Sequence, residues 1–296
     1  MFVTNIRRIA CRLKLSPSLH LPVQFRFNSH VSSQPEAFLE PFQTLPGVKC
    51  LSLNRPQSKN AISMRLLEEL TSCLEIAQYD PDLRVLILRS TTTGAFCAGA
   101  DLVERRTMSQ ARVSKFLADL RTALSNLENL SVPTIAAIDG PALGGGLELA
   151  LACDLRVAAN GVSKIGLPET RLGIIPGAGG TQRAARLLGV SKAKDLIFTG
   201  RMLTAHDAHT LGLVDYISQP HESAFDRAVQ LAEEMTPNAP LALKAAKLAI
   251  SRAPELSLES GLDFERACYQ PLLTTKDRDE ALLAFKEKRP PVFKGE

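Results

Sequence analysis

The stretch IAAIDGPALGGGLELALACDL, residues 135–155, decides the fold. It begins as an apolar strand, TIAAIDG at 134–140, and breaks at Gly140–Pro141. A helix then opens on three consecutive glycines, Gly144 to Gly146, and DLRVAA at 154–159 reads as the next strand. Strand, helix, strand is the repeating unit of an α/β layered domain. A glycine inside a helix costs about 1 kcal/mol relative to alanine, so three together need a reason. One reason is close packing of backbone on backbone. The other is an open helix N-terminus whose N–H groups face a ligand oxygen. Glu148 follows at once, a carboxylate flanked by Leu and Ala in an otherwise apolar helix.

Outward from this stretch the alternation continues. VKCLSL at 48–53 and RVLILRS at 84–90 read as strands, and residues 63–79 have helical period. GAFCAGADL at 94–102 is a turn-rich loop. Residues 109–129 carry a helical stripe of Val113, Phe116, Leu117, Leu120, Leu124 and Leu127. After about residue 185 the character changes. Segments 191–199, 205–211, 222–235, 239–252, 255–269 and 277–287 all read as helices, punctuated by Pro237, Pro240, Pro254 and Pro271. We place an α/β core at 36–230 and a helical region at 231–296.

The 296 residues are 45% hydrophobic, enough to bury a full core. No apolar run reaches membrane-span length. The net charge of +4 does not signal a nucleic-acid partner. Arg7, Arg8, Arg12, Lys14 and Arg26 lie in a segment with no acid before Glu36, and the rest of the chain is close to neutral. That segment, residues 1–35, is amphipathic through Phe2, Ile6, Ile9 and Leu13 and reads as a mitochondrial transit peptide. The six cysteines are widely spaced with no CxxC pair, which points to neither a disulfide framework nor a zinc site. They read as small buried hydrophobes in a reducing compartment.

Two further motifs frame the chemistry. In FCAGADL, 96–102, Gly99 lets another loop approach, and the Ala100 N–H is a possible second donor. Cys97 has no histidine within thirty residues and is read as structural, because a thiol nucleophile needs a base. KIGLPETRLGIIPGAGGTQR, 164–183, places Glu169 in a second apolar, glycine-rich setting. PGAGGT is neither GxGxxG nor a P-loop, which excludes dinucleotide and triphosphate readings. Two carboxylates in apolar neighbourhoods have raised and split pKa values, and such a pair can hold one water as base and acid. His206 and His209 are spaced i, i+3 without a carboxylate constellation and read as a solvated helix face, so no metal is expected.

Together the three motifs resemble the enoyl-CoA hydratase (crotonase) family, from LNRPQSKNAIS at 53–63 to AFKEKRPPVFKG at 284–295. GADLVERRTMS and DRDEALLAFKEKRPP are most similar to its mitochondrial methylglutaconyl-CoA hydratase and enoyl-CoA hydratase domain-containing branch. The resemblance implies a spiral of ββα units with a C-terminal helical trimerisation region, assembled as a hexamer, a dimer of trimers. It implies a thioester oxygen held between the N–H groups of Ala100 and Gly145, with Glu148 activating water and Glu169 donating a proton to C2. Residue identities alone leave those two roles interchangeable. CoA, part of the substrate rather than a separate cofactor, is expected along Lys59, Ala98, Asp101, Leu102 and Gly144. The adenine would be held by main-chain groups near Ala98, with weaker phosphate contacts from Lys288 or Arg289. Both glutamates together favour hydration over the other chemistries of the fold.

The resemblance leaves two substrates open, a short-chain 2-enoyl-CoA and 3-methylglutaconyl-CoA of leucine breakdown. It also raises RNA binding, which the branch includes through a lysine-rich first helix. The matching helix here, AISMRLLEELTSCLEIAQ, has one Arg and three Glu, which counts against it. One departure from the pattern stands out. DLRVAANGVSKIGLPE is one residue longer than in typical relatives, an addition placed in the NGVS turn.

Overall fold

The computed structural model describes residues 34–296, so the Arg-rich segment read as a transit peptide lies, up to residue 33, outside the described residues. Its strands in chain order are β1 (Ala37–Pro41), β2 (Val48–Leu53), β3 (Val85–Ser90), β4 (Thr134–Ile138), β5 (Ala142–Leu143), β6 (Leu155–Ala158), β7 (Ile165–Gly166) and β8 (Tyr216–Ile217). The helices are α1 (Met64–Gln78), α2 (Leu102–Arg105), α3 (Gln110–Glu128), α4 (Gly145–Leu151), α5 (Gly180–Leu188), α6 (Val190–Thr199), α7 (Ala205–Leu211), α8 (Ala224–Met235), α9 (Pro240–Arg252), α10 (Leu258–Tyr269) and α11 (Lys276–Glu287).

The main sheet runs β1-β2-β3-β4-β6-β8, and β5 pairs with β7 in a second, short layer. Among the named strands of the described residues, only the β1–β2 hairpin is antiparallel, with Ala37 opposite Leu53; the other strand pairs are parallel. Parallel strands need helical crossovers that cover both faces, which is why VLILRS and TIAAI are continuous apolar runs. The period of two then sorts their side chains. Val85, Ile87, Ile135, Ala137 and Val157 pack against Ala224, Ala228 and Leu231 of α8. Leu86, Leu88, Ala136, Ile138 and Ala158 join α1, α3 and α4 in the larger core. Burying each such Leu or Ile stabilises by about 1.5–3 kcal/mol.

Polar residues at element ends fix the register. Ser63 and Ser109 cap α1 and α3 through Leu66 N–H and Arg112 N–H. Asp139, just past β4, accepts from Ala224 N–H at 2.6 Å and Phe225 N–H at 3.2 Å, pinning the start of α8 to the strand that leads into the site. Burial nevertheless holds the Asp139 carboxyl above its ordinary pKa, against those two hydrogen bonds. Lys247 of α9 reaches Val132 O at 2.8 Å and Asp154 at 2.7 Å, and Arg84 holds the carbonyls of Thr236 and Phe293.

Where the sequence reading and the fold differ, the differences are local. Residues 37–41 form an edge strand, and β5, β7 and β8 are two-residue strands, none of which the sequence pattern marks. α5 begins inside the glycine-rich PGAGGT run, well before the helices expected from 191 onward. The NGVS segment forms a tight turn, with Val162 N–H on Ala159 O. Cys50, Cys73, Cys97 and Cys153 are buried thiols and Cys268 is partly buried; none of the described cysteines is paired. No helix among the described residues is long and apolar enough to cross a membrane.

Candidate active site

The glycine run packs backbone closely on backbone at an open helix N-terminus. A Cβ on Gly146 would stand 2.2 Å from the Cys97 carbonyl oxygen, so the 94–102 loop lies directly on the first turn of α4. That contact is what brings two amides together. Ile62 N–H bonds Gly99 O and Asp101 N–H bonds Ile62 O, which turns the N–H of Ala100, between them, away from that ladder. Gly145 opens α4, so its N–H has no intrahelical acceptor. A Cβ on Gly145 would be 3.5 Å from Ala100 N, so the Ala100 amide lies against the first turn of α4.

Glu148 is one turn further into α4 and 3% exposed. Its Oε1 accepts from Ala178 N–H at 2.8 Å and Gly180 N–H at 2.7 Å. Burial raises its pKa, while the two amides and the Arg183 guanidinium pull it back down. Glu169, 8% exposed, heads the short 3₁₀ turn Glu169–Leu172. Its Oε1 lies 2.9 Å from where a Gly144 side chain would start, and its Oε2 is buried with no hydrogen-bond partner. Burial and the charge of Glu148 push it up to about 7, against a local backbone hydrogen bond. The two carboxylates therefore differ in kind. Glu148 is gripped by donors that favour its charged form, and Glu169 is left in surroundings that favour a proton.

The other residues singled out from sequence fall around this centre. Cys97 is fully buried, donates its thiol to Asn60 O at 3.0 Å, and is pushed up to about 12 by burial, the state of an inert thiol. Asp101 caps α2 through Val103 and Glu104 N–H and pairs with Arg55 at 2.7 Å, so its carboxylate anchors the loop. Leu102, 48% exposed, starts α2. Lys59 is exposed in a left-handed conformation, and its carbonyl takes the Ala98 N–H at 3.0 Å. Lys288 caps α11, and Arg289 is clasped by Glu280 and Glu287. His206 and His209 lie on the exposed side of α7, His209 against Val214 O. Among the described residues no three His, Cys, Asp or Glu side chains come together as a metal cluster.

Two contributors were not visible in sequence. Asn60, fully buried, ties the Arg55–Lys59 turn to Phe96 O at 2.9 Å and Ser90 at 2.8 Å. The amides of Ala178 and Gly180 hold Glu148; the only sequence signal for them was a buried carboxylate that needed donors.

An apolar helix entered through glycine, with the Ala100 amide close to its first turn and two buried carboxylates beside it, is an arrangement able to stabilise charge on a substrate oxygen. A family profile described as enoyl-CoA hydratase/isomerase matches residues 44–296, and the chain belongs to that family. It is 55% identical over 269 residues to the enoyl-CoA isomerase/hydratase fer4 of Mycosarcoma maydis, covering 88% of this chain and 97% of that one. It is 50% identical to the mitochondrial methylglutaconyl-CoA hydratase of Mus musculus, covering 84% and 80%. The crystal structure of enoyl-CoA hydratase from Bacillus anthracis superposes with a TM-score of 0.84 at 46% identity, covering 88% of this chain and all of that one. The fold is thus the crotonase fold, and the chain is an enzyme of the hydro-lyase class.

Proposed function

We propose that the protein adds water syn across the 2,3 double bond of a short-chain or branched 2-enoyl-CoA thioester, with Glu148 and Glu169 as the acid/base pair. One observation carries the reading: two buried carboxylates, Glu148 held by two amide donors and Glu169 with an unpartnered oxygen, lie beside the Ala100 and Gly145 amides, and burial raises the pKa of both. The thioester oxygen accepts from both amides. Charge that develops on it as water attacks C3 meets donors already in place, each contributing roughly 3–4 kcal/mol. Glu148, in its carboxylate form, takes a proton from the water as the water oxygen bonds C3. Glu169 delivers its proton to C2, and the electron pair returns from the enolate. Exchange with solvent resets the pair.

CoA travels with the substrate, and the reaction draws on no further cofactor. The nucleotide is expected along Lys59, Ala98 and Leu102. Among acyl groups, 3-methylglutaconyl is favoured by the 50% identity to a hydratase of that name. That relative's mitochondrial label and the Arg-rich N-terminus support a matrix location. Exposed Ile250, Leu258 and Leu262 on α9 and α10 support self-association of the 231–296 region, as a hexamer by family resemblance. Nucleic acid is disfavoured, since the exposed face of α1 carries Glu68 and Glu75.

Loss of the enoyl-thioester absorbance with crotonyl-CoA and with 3-methylglutaconyl-CoA tests the reading. Hydration of either, faster with the physiological acyl group, is expected. A folded enzyme that hydrates neither would sink it.

A further inference from the structure

The turn that grips Glu148 has a second side. Ala178 and Gly180 N–H converge on one carboxylate oxygen, which requires the peptide between them to be sharply turned; Gly179 is left-handed there, at φ +112°. Behind that peptide lies a guanidinium. Arg183 Nη1 donates to Ala178 O at 3.0 Å and occupies the space of a Gly179 side chain, 2.2 Å from its Cβ position. Arg183 Nη2 then pairs with Glu128 Oε2 at 2.6 Å, at the end of α3. The same helix supports the loop a second time, where Leu117 lies against Gly177. Arg183 is only 12% exposed, and its Nε is buried without a partner, an unfavourable arrangement for a purely structural cation.

We propose that Arg183 is a positioning residue for the hydration reaction: anchored on Glu128, it holds the Ala178 carbonyl and so fixes the turn whose amides orient Glu148. The inference rests on the reading of Glu148 as the group that activates water. An arginine suits the task because its fork reaches two acceptors at once, which a lysine cannot do in the same geometry. The charged groups facing Glu148 are Arg183 from α5 and Glu169 from the 3₁₀ turn; α4 and β5 contribute no other. Removing the guanidinium therefore loosens the carboxylate and also withdraws the one cation that opposes its protonation.

The test is kcat and KM for 2-enoyl-CoA hydration from pH 5 to 9, with melting curves, for wild type, Arg183→Lys, Arg183→Met, Glu128→Gln and Glu148→Gln. For Arg183→Met, kcat should fall roughly 10–100-fold, the scale of a slightly misplaced catalytic group, with KM nearly unchanged. Its acidic limb should move to higher pH, because Glu148 must be ionised to act. Arg183→Lys should restore the limb and only part of kcat. Glu128→Gln should lower kcat several-fold. A folded Arg183→Met with wild-type kcat and limb, or with a change in KM alone, would overturn the proposal. If Arg183→Met does not fold, a folded Glu128→Gln with wild-type kcat and limb overturns it instead. Should Glu148→Gln itself retain full activity, the acid/base reading has failed, a different result from failure of the positioning role.

Discussion

α4 and α9 are both short helices rich in Leu and Ala, yet every residue of α4 is buried and none of α9 is. α10 resembles α9 in this, with no buried residue. Apolar composition alone does not decide burial; neighbours do. α4 is enclosed by the 94–102 loop, the 176–180 loop and the sheet, so its single carboxylate is buried and has its pKa raised. α9 and α10 face outward with their apolar stripes, held to the core by polar links such as Lys247 to Asp154. The enclosed helix carries the buried carboxylate, and the exposed pair carries unpartnered apolar side chains.

The largest expected effect breaks the enclosed side. Glu148→Gln keeps an acceptor for the two amides but cannot take a proton. Hydration should drop by roughly 10²–10⁴-fold while the melting temperature holds or rises, since a buried charge is gone. Steady-state kinetics beside a thermal melt would show it. A loss smaller than tenfold would remove Glu148 from the reaction.

Gly146→Ala attacks the enclosure rather than the chemistry. A Cβ 2.2 Å from a backbone oxygen forces α4 or the 94–102 loop to shift. We expect destabilisation of about 1–3 kcal/mol or more, together with reduced kcat as the Ala100 and Gly145 amides part. A variant as stable and active as wild type would mean that the packing tolerates the shift and that the close approach is not what aligns the amides.

Much of this was legible in sequence, and what was missed has a common cause. VKCLSL and residues 205–211 fold over the spans read for them, because strand alternation and a Thr204 cap with Gly212 beyond are local signals. The two-residue strands β5, β7 and β8 are too short for any period to register. β1 ends on Pro41, tolerated only because it is an edge strand. α5 was hidden by PGAGG, which reads as loop until Glu148 claims the amides that start the helix. The glutamates were conspicuous as carboxylates in apolar runs. The donors that differentiate them are main-chain groups, which leave no mark on residue identity.

That difference has a pH signature. The Glu169 carboxyl, near 4.5 when unfolded, is pushed up to about 7 by burial and by Glu148. Its protonated form therefore favours the fold. The stabilisation is complete below the unfolded value and is lost as pH rises from about 4.5 through about 7, by no more than roughly 3 kcal/mol. Glu169→Gln should flatten this part of the stability–pH curve. Chemical denaturation at pH 5 and pH 8 for both proteins measures it. Parallel curves would show that Glu169 ionises as an ordinary carboxyl.

The smallest effect on the subunit itself belongs to the exposed side. Leu258 and Leu262 lie one turn apart on α10, 80% and 52% exposed. Neither supports the core, so a Leu258→Lys/Leu262→Lys pair should change the subunit's intrinsic stability by about 0.5 kcal/mol or less. If α10 meets a second copy of the chain, the same pair places two charges in an apolar contact and lowers the sedimenting mass. The wild type's apparent melting temperature would depend on protein concentration, as mass action requires, and the dissociated variant's would not. An unchanged mass would separate the two helices: α10 would be solvated, and assembly would have to run through α9, where Ile250 is the next residue to charge. Either way the contrast with α4 tightens, because an apolar residue matters to this protein only through what encloses it.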